Sequence, residues 1–396
     1  MKSKIAIIGG GTAGLCFASA IDTKKFDAVL FEKNSKPGRK LLVAGKGGFN
    51  LSHSEPIKDL ISRYTPSTFL EKALETYDNV YLRDWFKQNG IPTFIGTSQR
   101  IFPLKKIKPI TVLNAIVKAI EKNGVKILTD HEWTGFSPNS QLNFKHQSKI
   151  ITKQFDYVVF ALGGGSWKIT GSAGDWTSHF KSISCQPFLP SNCAYKVDWP
   201  KSFIQLTEGK PLKNIVTRSG SLTKKGELMI TAFGLEGGAI YALSPQLRHQ
   251  LITKGEAELL IDLKPDFSVK EIIEKLNTPH HKNRTAHVQS VLNLEKEKIK
   301  LLKAFTDIDL FNDNERLAKN IKGLSIQIVD FAPLDEAIST VGGIPIEAIN
   351  AQFELNTMPN HFVIGEMLDW DAPTGGYLIQ ACFSMGLYLA DQLNKQ

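Results

Sequence analysis

Residues 4–14 read K-I-A-I-I-G-G-G-T-A-G, and this stretch decides the fold. Its apolar run, Ile5 to Ile8, is typical of a buried strand, and an apolar stretch with helical character follows Gly14. Gly9, Gly11 and Gly14 form the pattern G-x-G-x-x-G between the strand and the helix. A strand, a glycine-rich turn and a helix in this order predict an α/β domain of the Rossmann type.

The three glycines and an acid further along the chain predict a bound dinucleotide. Gly9 permits a tight turn, Gly11 lets a pyrophosphate approach the backbone, and Gly14 allows the helix to pack closely on the strand. A second apolar run, Ala28 to Phe31, ends at Glu32, which stands 18 residues after Gly14. A carboxylate at that strand end can accept hydrogen bonds from the hydroxyl groups of a ribose.

The composition is that of an ordinary globular protein. The chain has 396 residues, of which 42% are hydrophobic and 22% charged. These values exclude disordered, collagen-like and disulfide-framework proteins. No apolar run reaches the roughly 20 residues of a membrane span, and the first residues are not typical of a secretory leader. We therefore expect no membrane contact and a reducing, cytoplasmic location.

The net charge of +9 comes from basic residues dispersed along the chain, 48 Lys and Arg against 39 Asp and Glu. No nucleic-acid-binding motif accompanies them, and an anionic ligand explains the surplus equally well. The four cysteines contain no C-x-x-C pair, so neither a disulfide framework nor a thiolate metal site is expected. His280, His281 and His287 form the one histidine cluster, which we interpret as surface, and no metal is predicted.

Composition divides the chain into an α/β domain and an insertion. Up to about residue 186, strands alternate with predicted helices such as Ser67 to Gln88. Short β-like runs punctuated by proline follow, and then a charged helical stretch at about 268–322. The α/β pattern then returns and ends in an apolar-faced helix, Tyr377 to Asn394. The predicted parts are 1–186 and 334–396 for the dinucleotide-binding domain, and 187–333 for the inserted β-rich and helical domain.

Two further segments favour FAD over NAD as the dinucleotide. The glycine- and lysine-rich loop 38–50 follows Glu32, and its cations and bare backbone can line a long, doubly anionic cofactor. Near the C-terminus, Thr374 to Tyr377 opens the last helix, whose N-terminus can direct N–H groups at the flavin edge where negative charge develops on reduction. An ordinary strand-to-helix turn is the alternative for that segment. We expect the FAD to be non-covalent, because no histidine clearly matches a position for covalent attachment.

Together these motifs make the sequence recognisable, and the chain resembles the BaiN-like (YhiN-type) flavoproteins over nearly its whole length. The residues that carry the resemblance are Gly9 to Gly14, Arg39-Lys40, Gly45-x-Gly47, Asn50, Arg100-Ile101-Phe102-Pro103, Ala161-Leu162-Gly163-Gly164 with Gly171, Gly342-Gly343, Gly365-Glu366-x-x-Asp369 and Thr374 to Tyr377. The usual family loop resembles G-R-C-N-x-T-N, whereas residues 47–53 read G-G-F-N-L-S-H. With Trp370 and Pro373, the chain is similar to a subgroup without an assigned substrate.

The resemblance implies a two-dinucleotide-binding FAD domain, discontinuous in sequence, with an inserted β-barrel-like and helical region on the substrate side. It also implies that Trp133 meets the adenine through its main chain, although core packing explains this residue as well. The residues expected along FAD, from the motifs and the resemblance together, are Gly9, Gly11, Thr12, Ala13, Gly14, Glu32, Lys33, Arg39, Lys40, Gly45, Gly47, Gly48, Asn50, Trp133, Ala161, Leu162, Gly163, Gly365, Glu366, Gly375, Gly376 and Tyr377.

His53, Arg100 and Tyr377 are the candidate catalytic residues, because they stand in segments expected near the flavin ring. A histidine has a near-neutral reference pKa, so His53 can donate a proton to a reduced substrate, or else it lies in a loop outside the site. Arg100 either pairs with an anionic substrate or holds its loop in place. Glu366 and Asp369 either take part in proton transfer or accept hydrogen bonds from the backbone and the ribitol.

The predicted function is an FAD-dependent oxidoreductase that transfers hydride through flavin N5 to or from an unidentified small molecule. The chain lacks the C-x-x-x-x-C of disulfide reductases and a second G-x-G-x-x-G unit. NAD(P)H would therefore act as a transient reductant without a Rossmann domain of its own. Two alternatives keep the FAD: a protein associated with nucleic acid such as tRNA, a partner class that we do not expect, and a non-catalytic flavin-bound module. An NAD-only dehydrogenase is disfavoured because it leaves the Gly375–Tyr377 segment unexplained, and no oligomeric state is predicted.

Overall fold

The computed structural model describes residues 2–43, 48–279 and 283–396. The chain divides into two compact units, Met1–Pro190 with Leu334–Gln396, and Ser191–Pro333. The first unit is therefore discontinuous in sequence, and the second is one continuous segment. The assignment of these units to cofactor and substrate stays a prediction.

The first unit contains a parallel sheet, three small sheets and helices from both of its chain segments. Its strands are β1 Ser3–Ile8, β2 Phe26–Phe31, β3 Ser52–His53, β4 Thr93–Ile95, β5 Arg100–Pro103, β6 Lys126–Leu128, β7 Glu132–Phe136, β8 Leu142–His146, β9 Lys149–Lys153, β10 Tyr157–Phe160, β11 Gln186–Ser191, β19 Ser339–Gly343 and β20 His361–Val363. Its helices are α1 Thr12–Ala20, α2 Arg39–Val43, α3 Ile57–Ile61, α4 Glu71–Thr76, α5 Asn79–Gln88, α6 Pro109–Asn123 and α15 Tyr377–Asn394.

The parallel sheet has the strand order β20-β10-β1-β2-β6. β1 lies in the middle of the sheet, and the side chains of Ile5–Ile8 are at most 1% exposed, so both faces of this strand are covered. A strand covered on both faces needs an uninterrupted apolar run rather than alternation, as the sequence provides. The parallel order brings the carboxyl ends of β1, β2, β10 and β20 to one edge, where a Rossmann fold binds its ligand.

The first and last helices of the chain pack against each other in this unit. A methyl group on Gly386 of α15 would lie 2.6 Å from the carbonyl oxygen of Ala13 and 2.8 Å from the backbone nitrogen of Phe17. The α15 backbone thus contacts α1 directly, which joins the C-terminal segment to the first βαβ unit. α15 spans the predicted range, whereas the predicted helix at 67–88 is in fact the two helices α4 and α5. The break occurs because Asp78 caps α5 and accepts the N–H of Tyr81 at 2.7 Å.

The second unit combines one sheet with a run of helices. The β-rich part expected to be barrel-like is a seven-stranded sheet with order β17-β16-β13-β14-β15-β12-β18 and antiparallel pairings. Its strands are β12 Tyr195–Lys196, β13 Pro211–Ser219, β14 Leu222–Ile230, β15 Gly234–Glu236, β16 Ala257–Asp262, β17 Leu324–Ile328 and β18 Asp330–Phe331. Its helices are α7 Lys201–Thr207, α8 Gly238–Tyr241, α9 Ser244–Lys254, α10 Val269–Leu276, α11 Arg284–Leu292, α12 Lys296–Ala304, α13 Ile308–Asn312 and α14 Asn314–Lys322.

Among residues 2–43, 48–279 and 283–396, no helix is both long and apolar enough to cross a membrane. Within the same ranges, no group of three or more histidine, cysteine, aspartate or glutamate side chains is placed to hold a metal. The four cysteines are free thiols. His280 and His281 of the predicted histidine cluster lie outside the described residues. His287 is fully buried on α11, so the interpretation of the cluster as surface is wrong for this residue.

Candidate cofactor-binding and active site

The three glycines in the turn after β1 differ in what surrounds them. Gly9 has a φ of +107°, and a methyl group there would meet the carbonyl oxygen of Ala161 at 2.3 Å. A methyl group on Gly14 would meet the carbonyl oxygen of Gly9 at 2.1 Å, because α1 packs directly on the turn. On Gly11 the methyl group would meet nothing closer than the carbonyl oxygen of Ala161, at 3.9 Å. The fold therefore requires Gly9 and Gly14, whereas Gly11 leaves room for a ligand.

The N-terminus of α1 offers free N–H groups beside that room. Gly11 is the N-cap residue, no side chain caps the helix, and no acidic residue stands in its first turn. The first N–H groups of a helix lack acceptors within the helix, and the helix dipole adds a partial positive charge. Thr12 and Ala13 begin this helix. Such an end fits an anionic pyrophosphate.

Glu32 lies at the end of β2 and is 7% exposed. One carboxylate oxygen accepts the N–H of Gly10 at 2.9 Å, and the other accepts the backbone and side-chain N–H groups of Asn34 at 2.8 and 2.7 Å. These bonds hold the carboxylate against the glycine turn. A carboxylate has about four acceptor positions, so Glu32 keeps capacity for a ribose hydroxyl.

Two predicted cations of the loop after Glu32 have defined partners. Arg39 donates to the side-chain oxygen of Asn34 at 3.0 Å. The Nζ of Lys40 lies 2.9 Å from a carboxylate oxygen of Glu366 and 3.0 Å from the hydroxyl of Ser166. The Lys40–Glu366 pair joins residues 326 positions apart, so it links the two chain segments of the first unit.

The rest of the predicted loop is described only in part. Gly45 and Gly47 lie outside the described residues. Gly48 has a φ of +107°, and its carbonyl accepts the N–H of Asn50 at 3.0 Å. Lys33 runs beside Gly171, where a methyl group would lie 3.2 Å from the Cε of Lys33.

The segments after β10 and β20 close the same sheet edge. Ala161 continues β10 and donates its N–H to the carbonyl of Ile8 at 2.8 Å. Gly365 follows β20 with a φ of +82°, and a methyl group there would lie 3.0 Å from the Cβ of Ala13. Both segments therefore lie close to the glycine turn and the start of α1. The predicted residues in these segments are Ala161, Leu162, Gly163, Gly365 and Glu366.

Trp133 lies on β7 within an aromatic cluster. Its side chain is 6% exposed, and its ring centroid lies 4.9 Å from that of Phe160 and 5.1 Å from that of His179. In the part of the chain that the structure describes, no acceptor takes its indole N–H. Trp133 is thus a core residue, and its main-chain contact with the adenine stays a prediction that this packing allows.

The start of α15 packs directly on the β3 segment. Gly375 and Gly376 have φ values of +126° and +100°, in a region that L-residues with side chains rarely adopt. A methyl group on Gly376 would lie 2.5 Å from the backbone nitrogen of Ser52. The two glycines let the helix N-terminus touch the strand backbone and place Tyr377 beside His53, with ring centroids 5.4 Å apart.

Glu55 is the centre of a polar network at this point. The hydroxyl of Tyr377 donates to a carboxylate oxygen of Glu55 at 2.6 Å. The guanidinium of Arg63 donates to the same carboxylate, from Nη2 at 2.8 Å and from Nε at 3.2 Å. The Nδ1 of His53 lies 3.7 Å from Glu55. A 10% exposed carboxylate therefore joins two of the three predicted catalytic residues.

The network shifts the pKa values of its members in different directions. Burial opposes ionisation of Glu55, but hydrogen bonds from Arg63 and Tyr377 outweigh it and hold the Glu55 pKa below its usual value. Burial lowers the pKa of His53, against the opposing charge of Glu55. Burial and donation to Glu55 raise the pKa of Tyr377. At neutral pH the network therefore holds an ionised Glu55, a neutral His53 and a protonated Tyr377.

Sequence reasoning missed Glu55 and Arg63. Glu55 stands two residues after His53 and Arg63 eight residues after Glu55, without a recognisable motif. The partner that gives them significance, Tyr377, is 322 positions from Glu55. The sequence did show that Glu55 is an acid close to His53, in a segment expected near the flavin. That observation does not identify Tyr377 or Arg63 as its hydrogen-bond donors.

These features define the class of protein. A parallel sheet whose central strand enters a G-x-G-x-x-G turn, with a free helix N-terminus and a carboxylate after the next strand, is a Rossmann-type dinucleotide-binding fold. The open space at Gly11 and the spare acceptor capacity of Glu32 fit the pyrophosphate and ribose of such a cofactor. Residues 3–392 match the family model described as "HI0933-like protein Rossmann domain". The chain therefore belongs to this family of BaiN/YhiN-type, FAD-dependent flavoprotein oxidoreductases, which confirms the resemblance seen in the motifs.

Individual relatives match almost end to end at low identity. The chain is 24% identical to the 3-dehydro-bile acid delta(4,6)-reductase of Clostridium scindens, over 98% of each chain. It is 22% identical to the ribosomal RNA dihydrouridine synthase of Escherichia coli, over 98% of this chain and 97% of the relative. Among solved structures, the 3-ketosteroid-delta4-(5alpha)-dehydrogenase of Rhodococcus jostii RHA1 has a TM-score of 0.51 at 13% identity, covering 100% of this chain and 97% of that one. The structural match shows a shared fold.

Proposed function

We propose that this protein reduces a carbon–carbon double bond conjugated to a carbonyl group. The observation that supports the proposal is the shared chemistry of two relatives that match over nearly their whole length. One is a delta(4,6)-reductase of a 3-dehydro bile acid, a ring system in which the double bonds are conjugated to a ketone. The other forms dihydrouridine, in which the double bond of uracil next to a carbonyl is saturated. The substrates differ in class, but the bond reduced is of one kind.

The reaction adds one hydride and one proton. The hydride forms a C–H bond at the carbon β to the carbonyl, the π electron pair moves towards the carbonyl oxygen, and a proton taken from solvent water then saturates the α carbon. FAD supplies the hydride when bound. We propose NAD(P)H as the reductant, docking transiently, because the sequence has a single G-x-G-x-x-G unit.

The chain's own residues divide into a binding end and a reacting end. At the binding end, the N-terminus of α1 and the backbone at Gly11 would hold the pyrophosphate, and Glu32 the ribose. At the reacting end, the network of Glu55 fixes the rings of His53 and Tyr377 at the start of α15. A fixed arrangement of this kind suits a site that must orient a substrate.

A small conjugated ketone is the first substrate candidate, and a uridine within ribosomal RNA is the second. The second candidate is favoured by the dihydrouridine synthase relatives from two organisms and by the net charge of +9. It would correct the expectation that nucleic acid is not a partner. Binding through phosphates would weaken steeply with salt, whereas binding of a neutral steroid would not.

An anaerobic half-reaction series tests the proposal. The flavin bands of the purified protein are recorded, NADH or NADPH is added, and the reduced protein is then mixed with a 3-oxo-Δ4 steroid or with a uridine-containing ribosomal RNA transcript. We expect one nucleotide to bleach the flavin, and one acceptor to restore it with formation of a saturated product seen by mass spectrometry. A reduced protein that no conjugated carbonyl acceptor reoxidises would rule the proposal out, as would a protein that binds no FAD.

A further inference from the structure

Two of the three predicted catalytic residues have their polar atoms engaged within the protein. The Nδ1 of His53 accepts the backbone N–H of Glu55 at 3.3 Å, and the His53 ring also bonds to the backbone of Ser98. The hydroxyl proton of Tyr377 is directed at Glu55. Neither side chain has a spare proton to offer in this arrangement.

The acids near the start of α15 are also engaged. Glu55 accepts hydrogen bonds from Arg63 and Tyr377, and its negative charge neutralises that of Arg63. Glu366 is bound by Lys40 and accepts the N–H of Thr340 at 3.0 Å. Asp369 accepts the N–H of Gly342 at 2.7 Å.

Arg100 differs from these residues. It lies on β5 directly opposite His53 of β3 and is half-buried, and a methyl group on Gly375 would lie 3.5 Å from its Nε. Over the described ranges of the chain, no carboxylate, carbonyl or hydroxyl oxygen accepts a hydrogen bond from its guanidinium. A half-buried cation with five N–H donors is costly without acceptors. The cation is therefore available for an oxygen atom that is not part of the protein.

We propose that Arg100 binds the substrate's carbonyl oxygen, which becomes an enolate oxygen when hydride adds to the β carbon. This inference rests on the proposed reduction of a conjugated carbonyl. The planar guanidinium fork can hold such an oxygen in the ground state and more strongly once it carries negative charge. Glu55 is a positioning residue, since it neutralises Arg63 and holds the Tyr377 hydroxyl, and Arg100 is left as the cation that selects for the oxygen.

Binding of 4-nitrophenolate to the FAD-loaded protein tests the role of Arg100 without turnover. The probe is planar with a delocalised oxyanion, and its absorbance reports the fraction in the anionic form. We expect Arg100→Gln to weaken binding by about tenfold or more, which corresponds to about 1.4 kcal/mol. Arg100→Lys keeps the charge but loses the fork, so we expect an intermediate loss. Arg316→Gln, at an exposed position on α14, is the matched control and should bind within about twofold of the wild type.

The outcomes separate this inference from the proposed function. Equal binding by Arg100→Gln and the wild type would overturn it, and so would a wild-type protein that does not bind the anion. An unchanged ratio of flavin to protein in all variants shows that the site is folded. If Arg100→Gln does not fold, the comparison of Arg100→Lys with the wild type decides the question. A protein that binds the probe through Arg100 but reduces no conjugated carbonyl would refute the function alone. Full reductase activity in Arg100→Gln would refute the inference alone.

Positioning by Glu55 has its own readout. Glu55→Gln keeps the shape of the side chain but removes the charge that neutralises Arg63, which then becomes a second free cation. We expect probe binding to be strengthened in Glu55→Gln, and Glu55→Asp to restore the wild-type value. A loss of binding equal to that of Arg100→Gln would show that Glu55 does not have this role.

Discussion

Gly11 and Gly14 stand in one motif, yet a side chain added at each position meets different surroundings. At Gly14 the added atom would overlap the carbonyl of Gly9, whereas at Gly11 it would point into open space. The backbone at Gly11, with φ −78° and ψ −178°, suits any residue. Gly14 thus serves the packing of α1, whereas Gly11 leaves the space that the proposed pyrophosphate would occupy.

Gly11→Val and Gly14→Val should therefore separate folding from cofactor binding. We expect Gly11→Val to keep the apoprotein's free energy of unfolding within about 1 kcal/mol of the wild type, while FAD content falls at least about tenfold. Gly14→Val should lose about 3 kcal/mol or more of stability through overlap with backbone. Urea unfolding of the apoproteins and absorbance of released flavin measure both. Normal FAD content in Gly11→Val would contradict the proposed pyrophosphate site.

Gly376 and Gly90 offer a second matched pair. Both have positive φ values, but a methyl group would meet nothing within 4 Å at Gly90 and would meet the Ser52 backbone at 2.5 Å at Gly376. Gly90→Ala should cost about 1–2 kcal/mol, the cost of a left-handed conformation for a residue with a side chain. Gly376→Ala should cost at least about 2 kcal/mol more, because the helix must move off the strand. Equal costs in urea unfolding would show that the contact at Ser52 is not tight.

At the scale of elements, buried polar bonds tie α15 to the β3 segment. The hydroxyl of Ser52 donates to Gln380 at 2.6 Å, and the hydroxyl of Tyr64 donates to the carbonyl of Tyr377 at 2.9 Å. With the bond from Tyr377 to Glu55, these contacts fix the helix start, where N–H groups are free. Satisfied buried networks of this kind favour a single arrangement.

The Glu55 network should make the free energy of unfolding fall as the pH becomes acidic. Because the Glu55 pKa is lower in the folded than in the unfolded protein, its contribution is complete above the unfolded value of about 4.3 and is lost as pH falls through the folded pKa. We expect Glu55→Gln to cost about 1–3 kcal/mol at pH 7, and the gap from the wild type to close well below pH 4. Urea unfolding at both pH values measures the gap. Glu121→Gln, at an exposed site on α6, should show neither effect, and a gap for Glu55→Gln that persists in acid would mean that charge is not its basis.

At the scale of the molecule, the two units differ in how the chain builds them. Ser191–Pro333 is one segment with its own sheet and helices, whereas the first unit needs both of its segments. Its parallel sheet takes β20 from the C-terminal segment, and its first helix packs on α15. The Rossmann core is therefore complete only when the C-terminal residues are present.

Separate expression of the parts tests this description. Residues 191–333 alone should unfold cooperatively in urea, as a segment with its own core does. Residues 1–190 alone should fail to fold, whereas the same residues joined to 334–396 by a flexible linker should fold and bind FAD. Circular dichroism and flavin retention report the result. A folded, FAD-binding fragment 1–190 would show that β20 and α15 are dispensable.

Patterns within short stretches of the sequence predicted much of the fold, because strands, turns and helices form largely through interactions between residues that are close in the chain. An uninterrupted apolar run predicted β1, glycines at fixed spacing predicted the turn, and apolar periodicity predicted α15 to its observed ends. The helix predicted at 67–88 was wrong in one respect, since apolar spacing continues across the cap at Asp78 that divides it. The family followed from motifs that lie far apart but are each readable by themselves.

The sequence by itself determined the Rossmann βαβ unit and the family, because each rests on motifs whose residues are neighbours within a short stretch, whereas the segments assigned to the cofactor stay a prediction. Only the tertiary structure decided which polar groups satisfy one another. It paired Glu55 with Tyr377 and Arg63, Lys40 with Glu366, and left Arg100 without an acceptor in the described chain. Those pairings depend on distances between residues up to 326 positions apart. These distances are set when whole helices and strands pack together, and the spacing of residues along the sequence does not predict them.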